Sequence, residues 1–157
     1  ADLVPQHVVA LTGERTVVES VIPPPDDPVV VEAADVDLPP APSGDTVPLP
    51  LGTVIGSRSG DKGGNANLGV FARSAEAYAW IDELLTVERL RELLPEAADL
   101  TIDRHALPNI WSVNFLIHGI LQEGVAASTR QDGQAKSLGE WLRARVVDVP
   151  VVLLPDP

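Results

Sequence analysis

"LGTVIGSRSGDKGGNANLGVFAR" (residues 51–73) decides how the rest of the chain is read. Two short apolar runs, "LGTVIGS" and "NLGVFAR", have strand composition. Between them lie glycines at 60, 63 and 64, Asn65, and the charged Arg58, Asp61 and Lys62, and Asn67 opens the second run. The pattern reads as strand, glycine-rich loop, strand. Glycine takes positive φ without cost and lets main-chain N–H groups converge on an anion. Arg58 can grip a carboxylate or phosphate through two parallel bonds, Lys62 adds a point charge, and Asn65 and Asn67 both donate and accept. A second reading stays open, a wide hydrophilic hairpin whose Arg58 and Asp61 bond to the backbone. Known phosphate motifs do not fit, because Gly63 rather than Ser or Thr follows Lys62 and no G-x-G-x-x-G is present. The loop also joins two strands, so no helix dipole assists it.

Downstream, Ser74 is a good N-cap with Glu76 in the first turn, where the helix dipole favours an acid. Trp80, Ile81, Leu84 and Leu85 recur at helical spacing, and Thr86 caps a second helix carrying Leu90, Leu93 and Leu94. "LTIDRHAL" (100–107) is a strand candidate that ends at Pro108 and Asn109. "IWSVNFLIHGI" (110–120) alternates, with Trp111, Val113, Phe115 and Ile117 on one face and Ser112, Asn114, Leu116 and His118 on the other. "GVAASTR" (124–130) suggests one more strand, and "AKSLGEWLRARV" (135–146) a helix with Leu138, Trp141, Leu142 and Val146 inward. The three tryptophans all read as core. Short connections favour antiparallel neighbours, and amphipathic helices need an apolar sheet face to cover. The expected fold is therefore α+β, a ferredoxin-like two-layer sandwich with a mostly antiparallel sheet and helices on one face.

Upstream the character changes. Residues 1–50 hold nine acids against one base, Arg15, and ten of the fifteen prolines. The expected organisation is a hairpin-like tail of an upstream domain (1–22), a Pro-rich acidic linker (23–50), the α+β domain (51–150) and a short tail (151–157). "HVVAL" and "TVVESVI" around "TGER" supply the hairpin, and a lone hairpin is marginal without a further sheet. Proline removes an N–H and disfavours helix in the residue before it, so 23–50 reads as an extended tether. Val29, Val30 and Val31 offer it a neighbouring surface to lie along. The chain contains no methionine, which suggests a processed start or, with this opening, a piece of a longer polypeptide.

A length of 157 residues with 45% hydrophobic content suits one domain with its own core. The formal net charge of -12 repels phosphate backbones and argues against nucleic acid as a partner. Absence of cysteine excludes disulfides and thiolate chemistry. No apolar run approaches the roughly 20 residues that cross a bilayer, and a cytoplasmic location is the default expectation.

The polar strand face Ser112, Asn114 and His118 is a second candidate site, with a neutral His118 able to act as a general base. An ordinary half-exposed strand histidine is the alternative. Ser59, His118 and Asp61 form a triad on paper, yet no G-x-S-x-G elbow supports it. His7, His105 and His118 have no metal-ligand spacing, and no metal is expected.

Three blocks, "SRSGDKGGNANLGVFAR", "LPNIWSVNFLIHGIL" and "EGVAASTRQDGQAKSLGEWL", together resemble the C-terminal region of acyclic terpene utilisation (AtuA-like) proteins over residues 50–150. The resemblance implies a ferredoxin-like fold and a link to catabolism of acyclic terpenes and branched acyl-CoA thioesters. It carries the family's blocks onto Arg58, Ser59, Gly60, Asp61, Lys62 and Gly63, and onto Pro108, Asn109, Asn114, Phe115, His118 and Gly119. Where the family pattern reads "GDKGD", this chain has Gly64, which removes a second acid. Candidate ligand-binding residues are thus Arg58, Ser59, Gly60, Asp61, Lys62, Gly63, Asn65, Asn67, Asn109, Asn114 and His118. Coenzyme A thioesters are the implied substrate class and no cofactor is expected. Implied partners are an upstream AtuA-like domain or companion subunit and further copies of the chain. A composite site predicts that Arg58, Lys62, Asn114 and His118 converge in one cleft. Assembly without catalysis, or acyl-CoA binding alone, are the competing functions.

Overall fold

A computed structural model describes the backbone of residues 7–11 and 13–18 and, with side chains, residues 35–154. The expected contact through Val29–Val31 and the last residues of the tail lie outside the described residues. Two units form, Ala1–Asp35 and Val36–Pro157. The first contains the antiparallel hairpin β1 (His7–Leu11) and β2 (Glu14–Val18), turned at Gly13 with φ +86°.

The second unit is built on strands β4 (Ile55–Lys62), β5 (Asn65–Ala72), β6 (Ile102–Leu107) and β7 (Ser112–Ile117). They form one sheet in the order β4-β5-β7-β6, antiparallel throughout. One face is apolar: Ala66, Leu68 and Val70 of β5 and Val113, Phe115 and Ile117 of β7 are fully buried. Helices α1 (Ala75–Leu84), α2 (Val87–Leu93) and α3 (Leu138–Arg143) cover it through Tyr78, Ile81, Leu90, Leu138 and Leu142. Each such side chain contributes about 1.5–3 kcal/mol of hydrophobic stabilisation. This is the two-layer α+β sandwich the sequence pattern predicts.

Both expected caps form. Ser74 Oγ accepts from Ala77 N–H at 3.2 Å and Thr86 Oγ1 from Arg89 N–H at 3.1 Å. A main-chain hydrogen bond, then one from Ser74, holds the Glu76 carboxyl below its usual range. Arg104, on the helix-covered face of β6, closes the other end of α1. Its guanidinium donates to the carbonyls of Leu85 and Asp82, both at 2.8 Å, and to the Asp82 carboxylate at 2.6 Å. Those carbonyls lie in the last turn, where a helix leaves acceptors unsatisfied.

Residues 46–50 were expected to end the linker but form strand β3 (Thr46–Pro50), which pairs antiparallel with β8 (Val146–Pro150). Prolines fit here because of register. Leu51 N–H donates to Arg145 O and Val151 N–H to Asp45 O, so odd-numbered positions of β3 face the partner. Pro48 and Pro50 fall on the alternate positions, whose N–H groups point away.

Four local expectations need correction. Trp111 is 39% exposed and does not join Val113, because it ends the turn Pro108–Ile110 with φ +49°. Its carbonyl accepts from Ala72 N–H at 2.9 Å, and the strand begins only at Ser112. Trp141 is 39% exposed at the rim of α3, a helix of six residues that turns inward only Leu138, Gly139 and Leu142. Val146 is 61% exposed, since in β8 it alternates with the buried Val147 and Val149. Finally, 124–130 is no strand: Ala127 and Ser128 N–H both return to Gly124 O, and the segment winds as turns.

Candidate functional site

Among the described residues no helix covers the opposite face of the sheet, and most of the expected site residues lie there. Cross-strand register stacks them in rows. Arg58, Gly69, Asn114 and His105 are successive partners across all four strands. The next row is Gly60, Asn67, Leu116 and Asp103, and beyond it Lys62 pairs with Asn65 at the hairpin end. Asn67 Nδ2 donates to Asn114 Oδ1 at a long 3.4 Å. Gly69 leaves the middle of the first row open, because a Cβ there would stand 3.8 Å from Asn114 Oδ1.

The expected glycine-rich loop is instead two strand ends joined by Gly63 and Gly64. Only Gly63 has positive φ (+62°), which fits a type II′ hairpin turn. Amides expected to converge on an anion are therefore spread along strands, about 3.4 Å per residue. Strand geometry also divides the side chains. Arg58 and Lys62 belong to the open face, whereas Ser59 and Asp61 belong to the helix-covered face with Leu68 and Ala66 opposite them. Ser59 Oγ donates to Lys136 O and accepts from Gly139 N–H, anchoring α3. A Ser59–His118–Asp61 triad is thus impossible, since the serine and the histidine are on opposite sides of the sheet.

The hairpin tip is clamped. Leu121 N–H donates to Gly64 O at 2.9 Å, and a Cβ on Gly64 would lie 2.2 Å from Gln122 O. No acid fits at residue 64 in this arrangement, which explains the glycine there. Asn65 Oδ1 accepts from Gly119 N–H at 2.9 Å, and Lys62 Nζ bonds to Asp61 O. Gly60 faces open space, and Asn109 is exposed in the turn after β6.

Arg58, Gly69, Phe71, Leu107, Ile110, Ser112 and Asn114 border a hollow of about 270 Å³ on this face. Phe71 lies over Gly56, where a Cβ would meet the ring at 2.2 Å. The hollow combines three apolar walls with one guanidinium, one amide and one hydroxyl, the composition of a small-molecule site. Arg58 and Asn114 therefore come together. His118 follows β7 four residues beyond Asn114, about 13 Å by strand rise, and Lys62 stands at the same distant end. The four do not share one cleft.

His118 has a partner that sequence reading missed. Its Nε2 is 2.7 Å from Asp103 Oδ2, with both side chains partly exposed. Where Nε2 carries the proton, Nδ1 is left as the basic nitrogen. Pairing of β6 with β7 creates this contact, and alternation within "LTIDRHAL" was the available signal, since Asp103, His105 and Leu107 share a face. Among the described residues no group of His, Asp and Glu is placed to hold a metal, and no helix is long and apolar enough to cross a membrane. A larger hollow of about 680 Å³, between Pro39–Pro42 and the start of α1, contains none of the expected site residues and one ionisable group, Glu76.

An all-antiparallel sheet with helices on one side and a basic, amide-bearing row on the other defines a ferredoxin-like α+β domain with an open sheet face. The model of the AtuA ferredoxin-like domain family matches residues 49–148, and the chain belongs to that family. No curated protein and no solved structure matches it.

Proposed function

We propose that the open sheet face binds a branched acyl group presented as a carboxylate or coenzyme A thioester, within the catabolism of acyclic terpenes. One observation carries this reading: Arg58 and Asn114 flank Gly69 on a single row and border an apolar hollow. Phe71, Leu107 and Ile110 would receive the methyl-branched chain. Arg58 would pair with the carboxylate, or donate to the thioester carbonyl, with Asn114 and Ser112 fixing its orientation. At about 270 Å³ the hollow is just below the usual range for ligand pockets, roughly 300–1,000 Å³, and encloses only the acyl end. An upstream domain, a companion subunit or a second copy would cover the remainder. His118 and Asp103, on the same face nearer the hairpin end, would supply a base to a substrate that extends that far.

Thermal melting of the full chain with citronellate, citronellyl-CoA or coenzyme A tests the reading. A ligand at a hundredfold excess over Kd stabilises by about 2.7 kcal/mol, so a clear rise in Tm is expected with the acyl ligands. Arg58→Ala should abolish it, and an unchanged rise in that variant would refute the site. Assembly is the second reading, favoured by the exposed Phe71, Leu107, Ile110 and Trp111 on one end of the sheet. A chain that remains monomeric at micromolar concentration counts against it.

A further inference from the structure

A second hollow lies against the outer edge of β4, about 380 Å³ and lined by Ser57, Arg58, Ser59, Lys136, Gly139 and Glu140. Arg58 borders both hollows, so the apolar-lined site and this polar one are neighbours across β4.

The backbone here is held from both sides. Ser57 Oγ donates to Gly139 O at 2.9 Å, and Ser59 Oγ donates to Lys136 O at 3.1 Å. Asp132 accepts from the N–H groups of Lys136 and Ser137 at 2.9 and 2.8 Å, which uses both carboxylate oxygens. Gly139 permits the approach, since a Cβ would fall 2.8 Å from Ser57 Oγ. Lys136 is thus carried on a fixed main chain at the border of the hollow. Its ammonium and the Arg58 guanidinium make no side-chain hydrogen bond or ion pair among the described residues. Glu140, the one acid lining the hollow, is paired with Arg143 at 3.1 Å. In a chain of net charge -12, two uncommitted cations on a rigid polar hollow point to an oxyanion.

We propose that this hollow binds the phosphate groups of the nucleotide-bearing carrier whose acyl end occupies the open-face hollow, with Lys136 as the phosphate ligand and Arg58 adding positive charge at the border between the two. The inference rests on the acyl-binding reading for the identity of the carrier. It adds a second subsite, a new residue and a division of labour, in which Lys136 serves the phosphates and Arg58 the acyl end.

Calorimetric titration of the full chain separates the two. Lys136→Ala should weaken coenzyme A and citronellyl-CoA by about tenfold, the loss of one charge-assisted contact. It should leave citronellate binding unchanged, and Lys136→Arg should restore the thioester. Coenzyme A binding unaffected by Lys136→Ala overturns the phosphate subsite while leaving the acyl site standing. Coenzyme A that binds through Lys136 while citronellate fails to bind supports the phosphate subsite and removes the acyl one. Inorganic phosphate should not compete at the concentration where coenzyme A saturates. Equal competition would make this a simple phosphate site and overturn the assignment to a carrier.

Discussion

Replacing Gly64 with alanine should cost stability that the same change at Gly60 does not. The two glycines stand four residues apart on the same hairpin. At residue 64 a Cβ would lie 2.2 Å from the carbonyl oxygen of Gln122, a backbone atom that cannot rotate aside. At residue 60 nothing lies within 4 Å. Relief requires the hairpin tip and the 119–124 segment to part by about 1 Å, since real Cβ contacts are essentially never shorter than 3.0 Å. Such overpacking costs about 1–3 kcal/mol. The same movement strains the bond from Leu121 N–H to Gly64 O, worth about 1 kcal/mol. Reduced freedom of the unfolded chain returns about 0.4–1 kcal/mol. The balance is a loss of about 2 kcal/mol, or a fall in Tm of about 6–10 °C for a unit of this size. Urea denaturation followed by tryptophan fluorescence reads the difference directly. Gly60→Ala should be neutral or slightly stabilising. Equal midpoints for the two variants would refute the clamp between the hairpin tip and the Gln122 segment.

Other outcomes follow from the same geometry. Gly69→Val places its Cβ at ordinary contact distance, 3.6 Å from Arg58 O, so it should keep or slightly raise the Tm. Its side chain would fill the space between Arg58 and Asn114, and acyl ligand affinity should fall by about tenfold or more. Arg104→Ala should lower stability by about 2 kcal/mol because it leaves the Leu85 and Asp82 carbonyls without their donor. Arg104→Lys should recover only part, since an ammonium cannot reproduce the forked geometry. Burial, and then the nearby Asp82, push the Tyr78 phenol above its usual value despite an opposing pull from Arg104. The protonated form is thus favoured in the folded state. Its contribution is complete below the unfolded pKa of about 10 and is lost as pH rises through the higher folded value. As pH rises above about 10 the wild-type chain should therefore lose more stability than Tyr78→Phe, measured as denaturation midpoints; parallel curves would contradict this.

Much of the fold was legible because its signals are local. Ser74 and Thr86 announce helix starts through their own side chains, and strict alternation at Val113, Phe115 and Ile117 marks a half-covered strand. The glycine-rich segment misled for a related reason. Gly, Asn and Asp are turn formers over short range, but Ser57 and Ser59 find partners about 80 residues away on α3, and this long-range anchorage extends the strand to Lys62. Trp111 was misplaced because one left-handed residue breaks the alternation that its neighbours obey. For the site, residue types were readable but their grouping was not. That Arg58 meets Asn114, that Ser59 turns away, and that Asp103 reaches His118 are all consequences of register between strands far apart in sequence. Lys136 lies in a segment whose periodicity suggested only a helix start, and the strand-edge hollow that gives it a role exists only after folding.

Backbone amide chemical shifts of the isotopically labelled chain, followed during titration with citronellate, bear most directly on the open-face site. Perturbations should concentrate at Arg58, Gly69, Phe71, Ser112 and Asn114, and disappear in Arg58→Ala. Shifts gathered instead around Ser43, Ser74 and Leu153, or none at saturating ligand, would contradict it.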